Sequence, residues 1–312
     1  MAKSSCSQVD RGSSGIGLAA ARIFASKGAK VHVLDRVPID WDFDIFMIPG
    51  QVDDDDGTRK GKLGGKDVDG TIEFHECDIT NWKQLSSVLG RIPHVDIAVA
   101  NAGVSEEGDY FADVVDEAGE LAEPKYSVLD VNVRATVNFV KLALSKFGKQ
   151  GPGGSLVVTA SATAYSPEQS LPVYSASKLF LVGLIRSLRP SIKKRFGAVI
   201  NGVAPAATIS KLLPGNLAAP IIQAGAPVSS AFHVGLAVVF SATATQDRQV
   251  EAYGRDDPAE VQSSGRWNGR VIVTLGDRWT EVEEPTASLR SRWFGEWPTE
   301  MTAFQQKLTD NR

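Results

Sequence analysis

Short apolar runs, spaced through the chain and separated by helical patterns, constrain the fold more than any other feature. They lie at residues 30–34 (KVHVL), 71–77 (TIEFHEC), 95–100 (VDIAVA), 155–159 (SLVVT), 198–203 (AVINGV) and 270–275 (RVIVTL). Most are continuous rather than alternating, which suits strands covered on both faces of a parallel sheet. Helical periodicity fills the gaps at 18–27, 82–90, 126–147, 173–196 and 229–244. This β-α rhythm predicts a doubly wound parallel α/β domain, whose ligands sit beyond the carboxyl ends of the strands.

The bulk properties exclude several functions. A net charge of −4 offers nucleic acid or an anionic membrane no attraction. No apolar run approaches the ~20 residues of a membrane span. Cys6 and Cys77 are the only cysteines, so a disulfide framework is not expected, and a reducing compartment fits. With no apolar signal core at the N-terminus, a cytoplasmic protein is expected.

Two regions interrupt the rhythm. Residues 39–70, rich in glycine and charge, read as a surface insertion in a first domain of residues 1–278. Its acidic run Asp53–Asp56 reads as a solvated loop, not a cation site. Residues 279–312 carry Trp279, Trp293, Phe294 and Trp297, and read as a tail packed on the domain or on a partner subunit.

Three groupings carry chemistry. Gly12-Ser13-Ser14-Gly15-Ile16-Gly17 forms a glycine turn opening a helix, where backbone amides and the helix dipole favour a phosphate. Asp35 lies 18 residues past Gly17 (35 − 17), at the end of a predicted strand. A carboxylate there accepts hydrogen bonds from a ribose and repels a 2′-phosphate, favouring NAD, although Arg36 leaves NADP open. Tyr174 and Lys178 stand four apart on one helix face, where an ammonium can lower a phenol's pKa. Ser161 precedes Tyr174 by 13 residues (174 − 161), close enough for a loop to bring their hydroxyls together. Taken singly, each has an ordinary alternative: a structural turn, a loop acid, a chance YxxxK, a capping serine. The four histidines, 32, 75, 94 and 233, are scattered, and no His/Cys/carboxylate grouping has metal-site spacing along the chain.

Jointly, Gly12–Gly17, Asp35, Asp78, Asn101-Ala102-Gly103, Asn132, Ser161, Tyr174, Lys178 and Pro205 resemble, in order and spacing, the short-chain dehydrogenases/reductases. The likeness covers about residues 9–245 and the run 270–275. Its texture is closest to fungal secondary-metabolism members of the NAD-dependent prostaglandin-dehydrogenase-like branch. The resemblance implies a Rossmann-type fold and assigns roles. Gly12, Ser14, Gly15, Ile16 and Gly17 would hold the pyrophosphate, Asp35 the ribose, and Asp78 with Ile79 the adenine edge. Asn101 would line the cofactor, and Pro205 and Thr208 would border the nicotinamide. Asn132 would hold a water serving Lys178, Ser161 the substrate oxygen, and Tyr174 the transferred proton. Gln169 and Leu171 would face the substrate. Residues 206–227 read as an apolar lid, suiting a terpenoid or polyketide substrate. The resemblance also implies a homodimer or homotetramer, paired through the helices at 126–147 and 173–196.

The opening departs from the family pattern. Where a hydrophobic strand and Thr-Gly-Gly are usual, this chain reads KSSCSQV, then Asp10, Arg11 and Gly12. An arginine there strains the backbone if the turn needs positive φ. Polar residues in a central strand are costly to bury. Three accounts compete: a chain start that has lost its true strand, with 39–70 a second such fault; a strand that forms regardless, Cys6 and Val9 inward; or loosened cofactor binding. The last keeps a non-redox cyclase or isomerase, and a silent binding protein, beside the alcohol dehydrogenase/ketoreductase reading.

Overall fold

A computed structural model describes residues 6–47, 70–251 and 258–309. Eight strands make the main sheet: β1 (Cys6–Asp10), β2 (Lys30–Asp35), β3 (Thr71–Glu76), β4 (Ile97–Ala100), β5 (Gly154–Thr159), β6 (Ala198–Pro205), β7 (Val271–Leu275) and β8 (Arg278–Glu281). Their order is β8-β7-β6-β5-β4-β1-β2-β3, all parallel except β8, which folds back antiparallel on β7. This is the doubly wound arrangement that the apolar runs predict.

Both sheet faces are covered. Helices α1 (Gly15–Ser26) and α6 (Ala231–Thr243) pack on one, burying Val9, Val31, Val33, Val99, Val157 and Val203. On the other lie α2 (Trp82–Arg91), α3 (Thr136–Gln150) and α4 (Pro172–Phe196), against Leu34, Ala98, Leu156, Val158 and Ile200. Local signals set the helix ends. The Asn81 side chain accepts from the amides of Lys83 and Gln84 and starts α2, whose Leu85, Val88 and Leu89 face inward. Pro172 starts α4, basic residues fill its last turn, and Gly197 at φ 62° ends it. A π-helical turn, Leu129–Ala135, leads into α3.

The polar opening segment does form a strand, at the centre of the sheet between β2 and β4. Cys6 packs on one core and Val9 on the other. Ser7, Gln8 and Asp10 are fully buried with polar side-chain atoms that find no partner. Each such atom costs about 1–3 kcal/mol; the ladders on both sides and the apolar cores offset it. Just before β4, the Asp96 carboxylate accepts from the Cys6 amide at 2.7 Å, anchoring β1.

The insertion expected at 39–70 is not wholly superficial. Ile45 is buried with Leu18, Ala19 and Ala231, and Phe46 stacks on Phe232. Asp53–Asp56 lies outside the described residues. The division placed at residue 278/279 falls within β8, so Trp279 belongs to the sheet and packs against Phe240 and His233. Beyond it run α7 (Glu283–Ser288), α8 (Arg290–Phe294) and α9 (Glu296–Thr309).

Candidate active site

The glycine turn joins β1 to α1 at the carboxyl edge of the sheet. A Cβ on Gly17 would sit 2.7 Å from Asn101 Nδ2 and 2.9 Å from Gly12 Cα, so only glycine lets this helix approach the turn. Ser14 is the N-cap of α1, but its side chain does not cap, so the first amides of the helix remain for an anion. Asp35 ends β2 beside this turn and accepts from the Ser13 amide at 3.2 Å and the Arg36 amide at 2.7 Å. Asn101 follows β4; its side chain donates to the Arg11 carbonyl at 3.2 Å and accepts from Thr159 at 3.2 Å. Asp78 is held at the end of β3, accepting from Thr80 at 2.9 and 2.7 Å, with Ile79 buried after it.

Two residues depart from a plain phosphate turn. Arg11 has φ 46°, the one non-glycine residue at positive φ among those described. Its half-buried guanidinium feels Asp35 and Arg36, and its charge also reaches Lys178. Asp10, fully buried, accepts from the Ala102 amide at 2.7 Å and from the Asn101 amide. Burial raises its pKa to about 7, against those two amide bonds; Asp35 raises it further and Lys178 opposes.

The second grouping lies across the cleft. Ser161 caps a short 3-10 turn after β5 through the Thr163 amide, and its hydroxyl lies 3.4 Å from the Pro205 carbonyl. Tyr174 and Lys178, both buried, stand one turn apart on α4, with the ammonium 5.7 Å from the ring centre. The Ser161 side chain favours ionisation of the phenol. The phenol pKa is nevertheless raised, because burial outweighs that influence. This differs from the expected depression by Lys178, whose ammonium is committed to the Thr159 carbonyl at 3.0 Å. Burial, with the nearby Arg11 charge, lowers Lys178 to about 8. A Cβ on Gly103 would sit 3.1 Å from Lys178 Nζ and 3.5 Å from Asn132 Oδ1, so that glycine keeps the lysine and asparagine adjacent.

Asn132 sits inside the π turn, fully buried, its amide saturated. It accepts from Val104 N at 2.8 Å and donates to Val104 O at 3.0 Å and Ser177 at 3.1 Å. The side chain therefore fixes the loop after β4 to α4. Thr208 is buried and bonds the Ala206 carbonyl at 2.9 Å. Gln169 lies exposed before α4, and Leu171 is half-buried beside it. The expected lid forms helix α5 (Gly215–Gln223) with its own apolar centre of Ile209, Ala218 and Val228. Ser210 rests on the glycine turn, 3.2 Å from where a Gly15 Cβ would lie.

Sequence reasoning missed the supports of this cluster. Glu106 accepts from the Tyr174 amide at 2.9 Å, satisfying an early N–H of α4. Glu283, wholly buried, is bound by Arg186 through two 2.8 Å contacts, by Tyr165 at 2.8 Å and by Arg189 at 3.7 Å. It ties α7 to α4 and to the turn that carries Ser161. Neither acid has a linear signature; both act from segments far away in sequence.

Parallel sheet, glycine turn and clustered phenol, ammonium and hydroxyl define the class: a Rossmann-type oxidoreductase fold. Residues 55–217 match the short chain dehydrogenase family. A short-chain dehydrogenase/reductase of Penicillium rubens, prx4, is 51% identical over 97% of this chain and 84% of its own length. Another from Stachybotrys chlorohalonatus, ATR7, is 42% identical, over 97% and 87%. Among solved structures, a Brucella melitensis 3-ketoacyl-(acyl-carrier-protein) reductase complexed with NADH aligns with TM-score 0.60 at 19% identity, over 89% of this chain and 99% of that one. An NADH-dependent reductase complexed with NAD gives 0.58 at 21%, over 88% and 96%. The chain belongs to the short-chain dehydrogenase/reductase family. No helix among the described residues is long and apolar enough to cross a membrane.

Proposed function

We propose that the protein interconverts a secondary alcohol and a ketone on a hydrophobic small molecule, using NAD in preference to NADP. The observation that carries this reading is the burial of Ser161, Tyr174 and Lys178, with the ammonium 5.7 Å from the phenol ring, at the same sheet edge as the glycine turn. The residues fit a dinucleotide: uncapped amides at α1, the close Gly17 approach, and a carboxylate, Asp35, at the end of β2. Gly12, Ser14, Gly15, Ile16 and Gly17 would hold its phosphates, Asp35 a ribose, Asp78 and Ile79 the adenine, and Asn101, Pro205 and Thr208 the nicotinamide side. That cofactor supplies the hydride acceptor or donor.

The chain's own groups do the rest. Ser161 donates to the substrate oxygen and steadies charge developing there. Tyr174 takes the hydroxyl proton in oxidation and returns it in reduction. The Lys178 ammonium, held on the Thr159 carbonyl, would hold the cofactor's ribose, and the proton would leave along the Lys178–Asn132 side of the pocket. The apolar centre of the lid supports a hydrophobic substrate, and the fungal relatives support a place in secondary metabolism. Arg11 and Asp10 favour the second reading, a non-redox isomerase or cyclase on the same scaffold.

Fluorescence titration with NADH and NADPH, then turnover with assorted alcohols, separates them. NADH is expected to bind more tightly; folded protein that binds neither nucleotide removes the redox reading. Tyr174→Phe is expected to lose about 10²–10⁴-fold in turnover while NADH affinity stays within about twofold, since proton transfer alone is lost.

A further inference from the structure

We propose that His32, Glu73 and His75 form a binding site for a divalent transition-metal ion of the zinc class, at the open β3 edge of the sheet. Chain spacing hides the grouping, because its members come from adjacent strands. Glu73 and His75 are two apart on β3 and so share a face. His32 pairs with Glu73 in the parallel register, which puts its ring on that same face. The opposite face of these strands carries Val31, Val33, Ile72 and Phe74, packed in the apolar core.

The donor atoms are already converged. His32 Nδ1 and His75 Nε2 are 2.9 Å apart. The Glu73 carboxylate spans both, with Oε2 3.6 Å from the first and Oε1 3.7 Å from the second. Tetrahedral zinc with ligands at 2.0–2.1 Å places its donors about 3.3 Å from one another. One atom from each residue already lies within 4.8 Å of the others, so a turn of the exposed Glu73 carboxylate brings one oxygen to ligand spacing with both imidazoles. Two imidazoles and one carboxylate are a borderline donor set that suits zinc more than magnesium or calcium.

A second observation points the same way. Ligation through Nδ1 leaves the His32 proton on Nε2, and that atom is buried without a partner. Gln8 is its in-register neighbour on β1, on the same face, and the Gln8 amide is likewise buried with both polar atoms unpaired. A Gln8 carbonyl accepting from His32 Nε2 is the supporting contact that a metal-bound histidine usually makes. Glu73 is half exposed, so a water can complete the coordination, and Lys30 competes for it at 3.1 Å. The ion would tie edge strand β3 to β2.

The test uses the full chain without a histidine tag, stripped by chelator and titrated with Zn²⁺ calorimetrically. One ion per chain is expected, with a rise in Tm, since a ligand of the native state alone stabilises it. Glu73→Gln and His75→Ala are each expected to weaken binding by about tenfold or more. Lys30→Ala is expected to strengthen it, because the competing ammonium is gone. His75 is partly buried; the two half-exposed positions, 30 and 73, keep the test valid if that variant does not fold. Absence of a stoichiometric site, or zinc affinity unmoved by both Glu73→Gln and Lys30→Ala, overturns the proposal.

Discussion

Burying an aspartate where a central strand meets a glycine turn makes stability depend on pH. The Asp10 carboxyl titrates at about 7 in the folded chain, against 3.8 for an ordinary aspartate. The folded state therefore holds a proton that the unfolded state has lost between those values. Its contribution is fully present below about 4, declines as pH rises, and is gone above about 7. The amplitude is of the order of a few kcal/mol. Asp10→Asn keeps an acceptor for the Asn101 and Ala102 amides and cannot ionise. It is expected to flatten the fall in Tm between pH 5 and 8, measured by thermal melts; an undiminished slope would place the titration elsewhere. Arg11, next in the chain, stores strain instead. Left-handed backbone costs an arginine about 1–2 kcal/mol, and glycine returns about 0.5–1 kcal/mol of that as unfolded-state entropy. Arg11→Gly should therefore stabilise by under about 1 kcal/mol in urea titrations and tighten NADH binding. Weaker binding would make Arg11 a nucleotide contact. The strain was legible in the sequence, as an arginine at a position where glycine is usual. The titration was not, because it depends on which backbone amides lie over the end of β1.

Among the elements, α4 carries Tyr174 and Lys178, the pair proposed to handle the proton, and two acids hold it from outside. Glu106 meets its first turn, while Glu283 meets its middle through Arg186 and Arg189. Glu283→Gln leaves two arginines facing a neutral amide in a buried place. Breaking such a pair costs about 3–5 kcal/mol, read as a lower urea midpoint. Tyr165→Phe removes one neutral-to-charged bond and should cost less, about 1–3 kcal/mol. An equal effect from both would mean that packing, not charge, holds α7. Strands and helices were legible because apolar runs and periodicity are local properties. Trp82–Arg91 and Pro172–Phe196 end within a residue or so of where capping and composition place them. The strand expected at 95–100 is Ile97–Ala100, and β1 was obscure because its pairing with β2 and β4, not an apolar run of its own, marks it as a strand.

At the scale of the whole molecule, the proposed pairing of copies would use its exposed helical surfaces. Val137 on α3 and Leu179 and Phe180 on α4 are apolar and exposed, Leu179 at 49%. These are the helices expected to pair between subunits, and burying them would remove an apolar surface from water. Leu179→Glu is expected to shift the mass in light scattering towards the monomer; an unchanged oligomer would move the interface elsewhere, for example to the exposed Trp293 and Trp297 of the tail. The tail shows the limit of reading by segment: Trp279 belongs to the sheet because β8 closes the β7 edge, a pairing no local pattern announces.

The wide turn at Leu129–Ala135 carries a further implication. One surplus residue in a helix changes the angular phase of everything after it, so this turn lets Asn132 answer to the loop at Val104 while Phe139, Ala143 and Phe147 still face the sheet. Removing that residue would regularise the helix and leave one of the two faces misdirected. The irregularity is thus a gearing between two surfaces, retained at the expense of a tidier coil.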